Sequence, residues 1–183
     1  MKYQKGVTLI ELMVTVSIVA IILTSVAPSI QSILIKNRIV AEINELSSLI
    51  QYARHQAIDE QAPITFCPST DYKNCTTNWD DPKIVFLDSD GNGARDEATE
   101  ELLVASGAIA STHVMTMQGS AVTLQFFANG GANRSVEILL CHDNKDAKYA
   151  RSLSLTLQGR VKMSTDSDNN GVNENAAGTA LSC

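Results

Sequence analysis

Between Leu12 and Ile35 the chain runs for 24 residues without a charged side chain, and no other feature restricts its possible folds as much. As a helix this stretch extends about 36 Å, enough to cross a bilayer core of about 30 Å. Lys2 and Lys5 precede it. Basic flanks stay on the cytoplasmic side, so everything after Lys36 is expected on the far side. One reading is a secretory signal, because Ser25-Val26-Ala27 has the small-residue pattern of a cleavage site and a cut there releases a soluble domain. Two residues oppose it. Pro28 would become the first residue after the cut, and Glu11 places a carboxylate near the start of the apolar run. A charge at the middle of a membrane helix costs about 2.5–3.5 kcal/mol on insertion scales and less near an end, so such a residue implies a functional partner.

The whole chain, 183 residues, has room for one modest domain and one extra element. Beyond the apolar run, Ile39, Ile43, Leu46, Ile50, Ala53 and Ala57 recur at alternating steps of four and three, the stripe of a helix that packs along one face. Lys36, Arg38, Glu42, Glu45 and Arg54 fall largely off that stripe and read as its solvated side. The helix is expected to end near Glu60, before Pro63. After it come short apolar or alternating runs at 64–67, 84–87, 102–105, 114–117, 122–127, 136–141 and 153–157, separated by clusters of Gly, Asn and Asp. The expected class is α+β: a long N-terminal helix with a membrane-spanning first half, packed through its second half on an antiparallel sheet. The expected divisions are 1–6, 7–35, 36–60 and 61–183.

Four cysteines, Cys67, Cys75, Cys141 and Cys183, lack the C-x-x-C spacing of zinc and thioredoxin-like sites. An even count behind an export-type N-terminus fits disulfides in an oxidising compartment. Three pairings are open. Neighbour with neighbour, Cys67 with Cys75 and Cys141 with Cys183, is the economical one.

Lys5-Gly6-Val7-Thr8-Leu9-Ile10-Glu11-Leu12 resembles the prepilin peptidase signal of type IV pilins and type II secretion pseudopilins. The resemblance implies that Gly6 ends a leader and that Val7, where the family usually has Phe, becomes an N-methylated first residue. It also implies that the Glu11 carboxylate neutralises the terminal amine of a neighbouring subunit, and that Pro28 occupies the place of the kinking proline of such helices. Further along, Ile64-Thr65-Phe66-Cys67, Cys75, Trp79, Val85-Phe86-Leu87-Asp88, Asp90-Gly91, Leu140-Cys141 and Gly159-Arg160-Val161 are similar to the GspH/FimT family, over most of the chain. That resemblance implies a non-enzymatic minor pilin or minor pseudopilin. It would sit in the bacterial inner membrane with its C-terminal domain in the periplasm, and would help initiate or cap a type IV pilus or secretion pseudopilus. Its expected partners are other pilin or pseudopilin subunits and the prepilin peptidase/methyltransferase.

The net charge of −6 gives no global attraction to nucleic acid or anionic lipid. Locally the balance differs: residues 134–162 hold six basic and three acidic side chains, and residues 80–101 hold eight acidic and two basic. Gly159-Arg160-Val161-Lys162 resembles the GRxR motif with which FimT-like uptake pilins hold DNA, with Lys162 in place of the second Arg. Alternation places Arg160 and Lys162 on one strand face after a Gly159 turn. Either a phosphate-binding site for double-stranded DNA or a hairpin with two solvated cations satisfies this pattern.

Asp88-Ser89-Asp90-Gly91-Asn92-Gly93 and Asp166-Ser167-Asp168-Asn169-Asn170-Gly171 both begin like an EF-hand calcium loop. Thr99 and Ala177 then stand where the twelfth-position Glu belongs, so both read as tight polar turns and no metal is expected. His55, His113 and His142 are scattered and read as structural or surface residues. No nucleophile elbow, phosphate-cradling glycine loop or paired-carboxylate motif points to catalysis, and no cofactor is expected.

Overall fold

The computed structural model describes residues 6–119 and 123–183, with the backbone alone for 25–28. Lys2, Lys5 and Val122 therefore lie outside the described residues, as does the side chain of Pro28. The chain forms two compact units, Met1–Asn37 and Arg38–Cys183, and helix α1, Leu9–Asp59, runs from the first into the second.

In the first unit Thr8 starts the helix: its hydroxyl accepts the Glu11 N–H at 3.3 Å and its carbonyl accepts that of Leu12 at 3.1 Å. Leu9, Ile10, Leu12, Met13, Ile18 and Ile22 are among the apolar side chains left exposed. The hydroxyls of Thr15, Ser17, Thr24 and Ser32 turn back to carbonyls of their own helix, at 2.8–2.9 Å for the shortest bond of each.

In the second unit the remainder of α1 buries all six residues of the expected stripe, Ile39, Ile43, Leu46, Ile50, Ala53 and Ala57. Gln61 ends it in a left-handed conformation, φ 52°, two residues before Pro63. Eight strands follow: β1 Ile64–Pro68, β2 Lys83–Leu87, β3 Leu102–Ala105, β4 His113–Met117, β5 Leu124–Phe126, β6 Val136–His142, β7 Arg151–Leu155 and β8 Val161–Met163. All pairings are antiparallel, and the strands divide into two four-stranded sheets, β3-β2-β1-β5 and β4-β6-β7-β8, where one sheet was expected. The division comes from pairings that skip along the chain: β5 returns to β1, and β4 pairs with β6.

β1 is buried at all five positions, so both faces of the first sheet are covered at its centre. Phe66, Phe86, Phe126, Ile64, Ile84 and Leu124 from this sheet and Ile138, Leu140, Leu153 and Leu155 from the second supply the largest fully buried side chains. At about 1.5–3 kcal/mol per fully buried aliphatic or aromatic side chain, these residues and the helical stripe drive the fold. Trp79 packs at 60° to Phe66, ring centroids 5.6 Å apart.

Cys67 is bonded to Cys75 and Cys141 to Cys183. The first bond closes a loop leaving β1. The second fastens the C-terminal tail beside β6, where Leu181 packs with Cys141 and Ala150 and the Leu181 N–H donates to the Asn173 carbonyl.

Two helix charges do not belong to a solvated face. Glu42 accepts the Ala110 N–H at 2.9 Å and sits 2.6 Å from Nδ1 of the buried His113. Arg54 donates from Nε to the Gly130 carbonyl at 2.8 Å. Both tie α1 to loops about 70 residues or more away in sequence, contacts that helical periodicity does not encode.

Candidate functional site

Two groups of residues singled out by sequence lie in different units, and each has its own geometry. At the N-terminus Gly6 and Val7 are exposed ahead of the helix, and Glu11 stands in its first turn, also exposed. A carboxylate there is favoured by the helix dipole. Among the described residues Glu11 has no ion-pair partner. The helix continues through Pro28. It is one helix long and apolar enough to cross a membrane.

The second group is the β7–β8 hairpin. Its turn is closed by the Gly159 N–H donating to the Thr156 carbonyl at 2.9 Å and the Thr156 N–H donating to the Arg160 carbonyl at 3.0 Å. Strand β7 thus ends at Leu155, two residues short of the expected 153–157 run, and Leu157 stands exposed in the turn. Gly159 is buried with φ 72°, and a Cβ there would overlap the Gly130 carbonyl oxygen and lie 2.6 Å from Arg54 Nε. Only glycine fits, because the left-handed conformation and the close approach both exclude a side chain. Arg160 and Lys162 follow, both exposed and without an ion pair among the described residues. The packing of Arg54 against Gly159 adds a third cation to this end of the domain, one that sequence reasoning assigned to the solvated helix face. The only hint of it was the pair of glycines, Gly130 and Gly159, that its guanidinium needs as neighbours.

The other cations between 134 and 162 are not equivalent. Lys148 bonds Asp146 at 2.6 Å and lies 4.8 Å over the Tyr149 ring, and the Asp146 carboxylate raises its pKa. Arg151 donates to the Ala150 carbonyl at 2.7 Å, and burial lowers its pKa against the opposing charge of Asp166. Arg134 and Lys145 are exposed. His113 and His142 stack edge to face at 5.5 Å and hold carboxylates, Glu42 and Asp143, rather than each other.

A family model described as type II transport protein GspH matches residues 42–159, and one described as the prokaryotic N-terminal methylation motif matches residues 1–27. No curated protein matches the chain. Among solved structures it is similar to the type IV minor pilin FimU of Pseudomonas aeruginosa strain PAO1, at 20% identity and a TM-score of 0.55, covering 69% of this chain and 88% of that one. A second crystal form of FimU gives 0.50, also at 20% identity, over 66% and 87%. The minor pseudopilin EpsH from the type 2 secretion system of Vibrio cholerae is more distant, at 6% identity and a TM-score of 0.48, over 67% and 93%. At these identities the likeness to FimU is one of fold.

Proposed function

This chain belongs to the type II transport protein GspH family and is a structural subunit, not an enzyme; on that premise we propose that it is a minor pilin or pseudopilin that initiates or caps a periplasmic filament of pilin-like subunits. The observation that carries the proposal is the exposed Gly6-Val7 step ahead of an apolar helix whose single early charge, Glu11, has no partner among the described residues of its own chain. The methylation-motif match over residues 1–27 supports the same reading.

In this reading the subunit waits in the inner membrane with its domain in the periplasm. Prepilin peptidase cuts after Gly6 and methylates Val7, and Glu11 then meets the new terminal amine of an adjacent subunit. Pro28, lacking an N–H, is the point at which that helix can bend on entering a bundle. Intact-mass and N-terminal analysis of protein taken from its native membrane tests this. An N-methylated Val7 start that disappears without the peptidase is the expected result, and a Pro28 start or an unchanged Met1 would sink the proposal.

A second reading has a specific observation behind it: Arg160 and Lys162 are exposed just after an obligatory glycine turn against which Arg54 packs, which suits binding of duplex DNA through its phosphates. Charge reversal of both Arg160 and Lys162 in the full chain is expected to weaken DNA binding at least tenfold. It should also flatten the dependence of log K on log salt by about 1.8, about 0.9 for each phosphate no longer neutralised. Unchanged affinity and slope would remove the DNA role from this hairpin.

A further inference from the structure

The two acidic turns are built alike, one leaving each sheet. Asp88, Asp90, Asn92 and Gly93 repeat as Asp166, Asp168, Asn170 and Gly171. In each turn the first Asp accepts the glycine N–H, at 3.1 and 3.0 Å, and the second Asp accepts the Asn N–H, at 3.0 and 3.1 Å. Each turn also receives a glutamate absent from the twelfth position of the loop. Glu100 comes from one residue beyond it, Glu174 from three before it. One carboxylate oxygen from each of Asp88, Asp90 and Glu100 lies within 4.8 Å of the others, and Asp166, Asp168 and Glu174 gather in the same way.

Like charges brought this close raise one another's energy unless a cation lies among them. Burial sharpens the conflict. Asp88 is 0%, Glu100 5% and Glu174 8% exposed. Asp88 Oδ2 is fully occupied, accepting from the Thr65 hydroxyl at 2.5 Å, Gln125 Nε2 at 3.0 Å and the Gly93 N–H. Asp88 Oδ1 is buried with no hydrogen-bond partner, and so is Glu174 Oε1, whose other oxygen takes the Ser167 N–H at 2.7 Å. One buried carboxylate oxygen without a donor therefore belongs to each cluster, and such an atom is rare because its desolvation goes uncompensated. Arg151 feels the charge of Asp166 but spends its bonds on the Ala150 and Lys148 carbonyls.

We infer that each turn binds one calcium ion. The donor set is oxygen only, with no His or Cys, which selects a hard cation. Three carboxylates from a turn that leaves its outer side open to water suit calcium, which accepts about six to eight mixed oxygen ligands at roughly 2.3–2.6 Å, better than the strict octahedron of magnesium. The unpartnered oxygens Asp88 Oδ1 and Glu174 Oε1 are the inner ligands, and the exposed Asp90 and Asp168 close each site from outside. The affinity expected is that of extracellular modules, Kd about 10⁻⁴–10⁻³ M.

The test is calorimetric titration of calcium chloride into the full chain in detergent, disulfides intact, after chelator treatment. Two ions per chain are expected. Asp90→Asn and Asp168→Asn each remove one exposed ligand without altering size. Each should lower the stoichiometry to one, and together to zero. In chelator each variant should unfold no lower than wild type, because it relieves one carboxylate repulsion, and calcium should raise the unfolding temperature of wild type but not of the double variant. No uptake by the folded wild-type chain at about 10 mM calcium would overturn the assignment. So would uptake unchanged in the double variant, or magnesium binding as well as calcium does.

Discussion

Glu11→Ala is expected to leave the chain folded and inserted in the membrane but to cut its incorporation into filaments about a hundredfold. The cause is electrostatic. A subunit amine carried into an apolar bundle needs a counter-charge, and placing a charge in such surroundings costs about 2.5–3.5 kcal/mol when nothing compensates it. At 1.4 kcal/mol for each factor of ten, losing that compensation corresponds to about two orders of magnitude. Glu11→Gln, which keeps the shape and not the charge, should fall almost as far. The check is the ratio of subunit in sheared filaments to subunit held in the membrane fraction. A ratio unchanged in the alanine variant would mean that Glu11 serves something other than assembly.

The second large effect concerns the domain itself. Removing the Cys141–Cys183 bond with paired serines is expected to destabilise it by about 4 kcal/mol, because the bond spans 42 residues of sequence and the chain-entropy model weights long loops. Removing Cys67–Cys75, which spans 8, should cost about 2.5 kcal/mol. Denaturant unfolding of the two double-serine variants, in the oxidised full chain, gives the order directly. If the short bridge proved the more stabilising, local packing of Cys67 against Ile84 and Phe86 would have to outweigh loop entropy.

The helical stripe was legible because period and burial are the same physical fact: Ile39, Ile43, Leu46, Ile50, Ala53 and Ala57 lie on one side of a helix and all are buried. Strand existence was legible for a similar reason, since apolar runs bounded by turn residues allow little else. Partition into two sheets was not, because nothing local tells β4 to pair with β6 instead of extending the first sheet. The same distance hid Arg54 and Glu42. As a helical surface they look solvated, and only the return of Gly130 and His113 from far along the chain gives them partners. At the candidate sites, the positions of Arg160 and Lys162 on an exposed hairpin arm followed from alternation. The carboxylate clusters at the acidic turns escape a fixed spacing rule, since a glutamate one place late or three places early can still be folded into the same cluster.

The hydroxyls that Thr15, Ser17, Thr24 and Ser32 return to their own helix bear on how such a segment changes surroundings. A helix whose polar groups depended on neighbours would have to exchange hydrogen bonds each time it passed between lipid and protein. These four carry their bonds with them. For these four groups, passage from one hydrocarbon environment to another breaks no polar bond. In the proposed assembly, direction must then come from elsewhere, with the charge at Glu11 as one source. For the filament proposed above, these hydroxyls therefore set no barrier of their own to the helix leaving the bilayer.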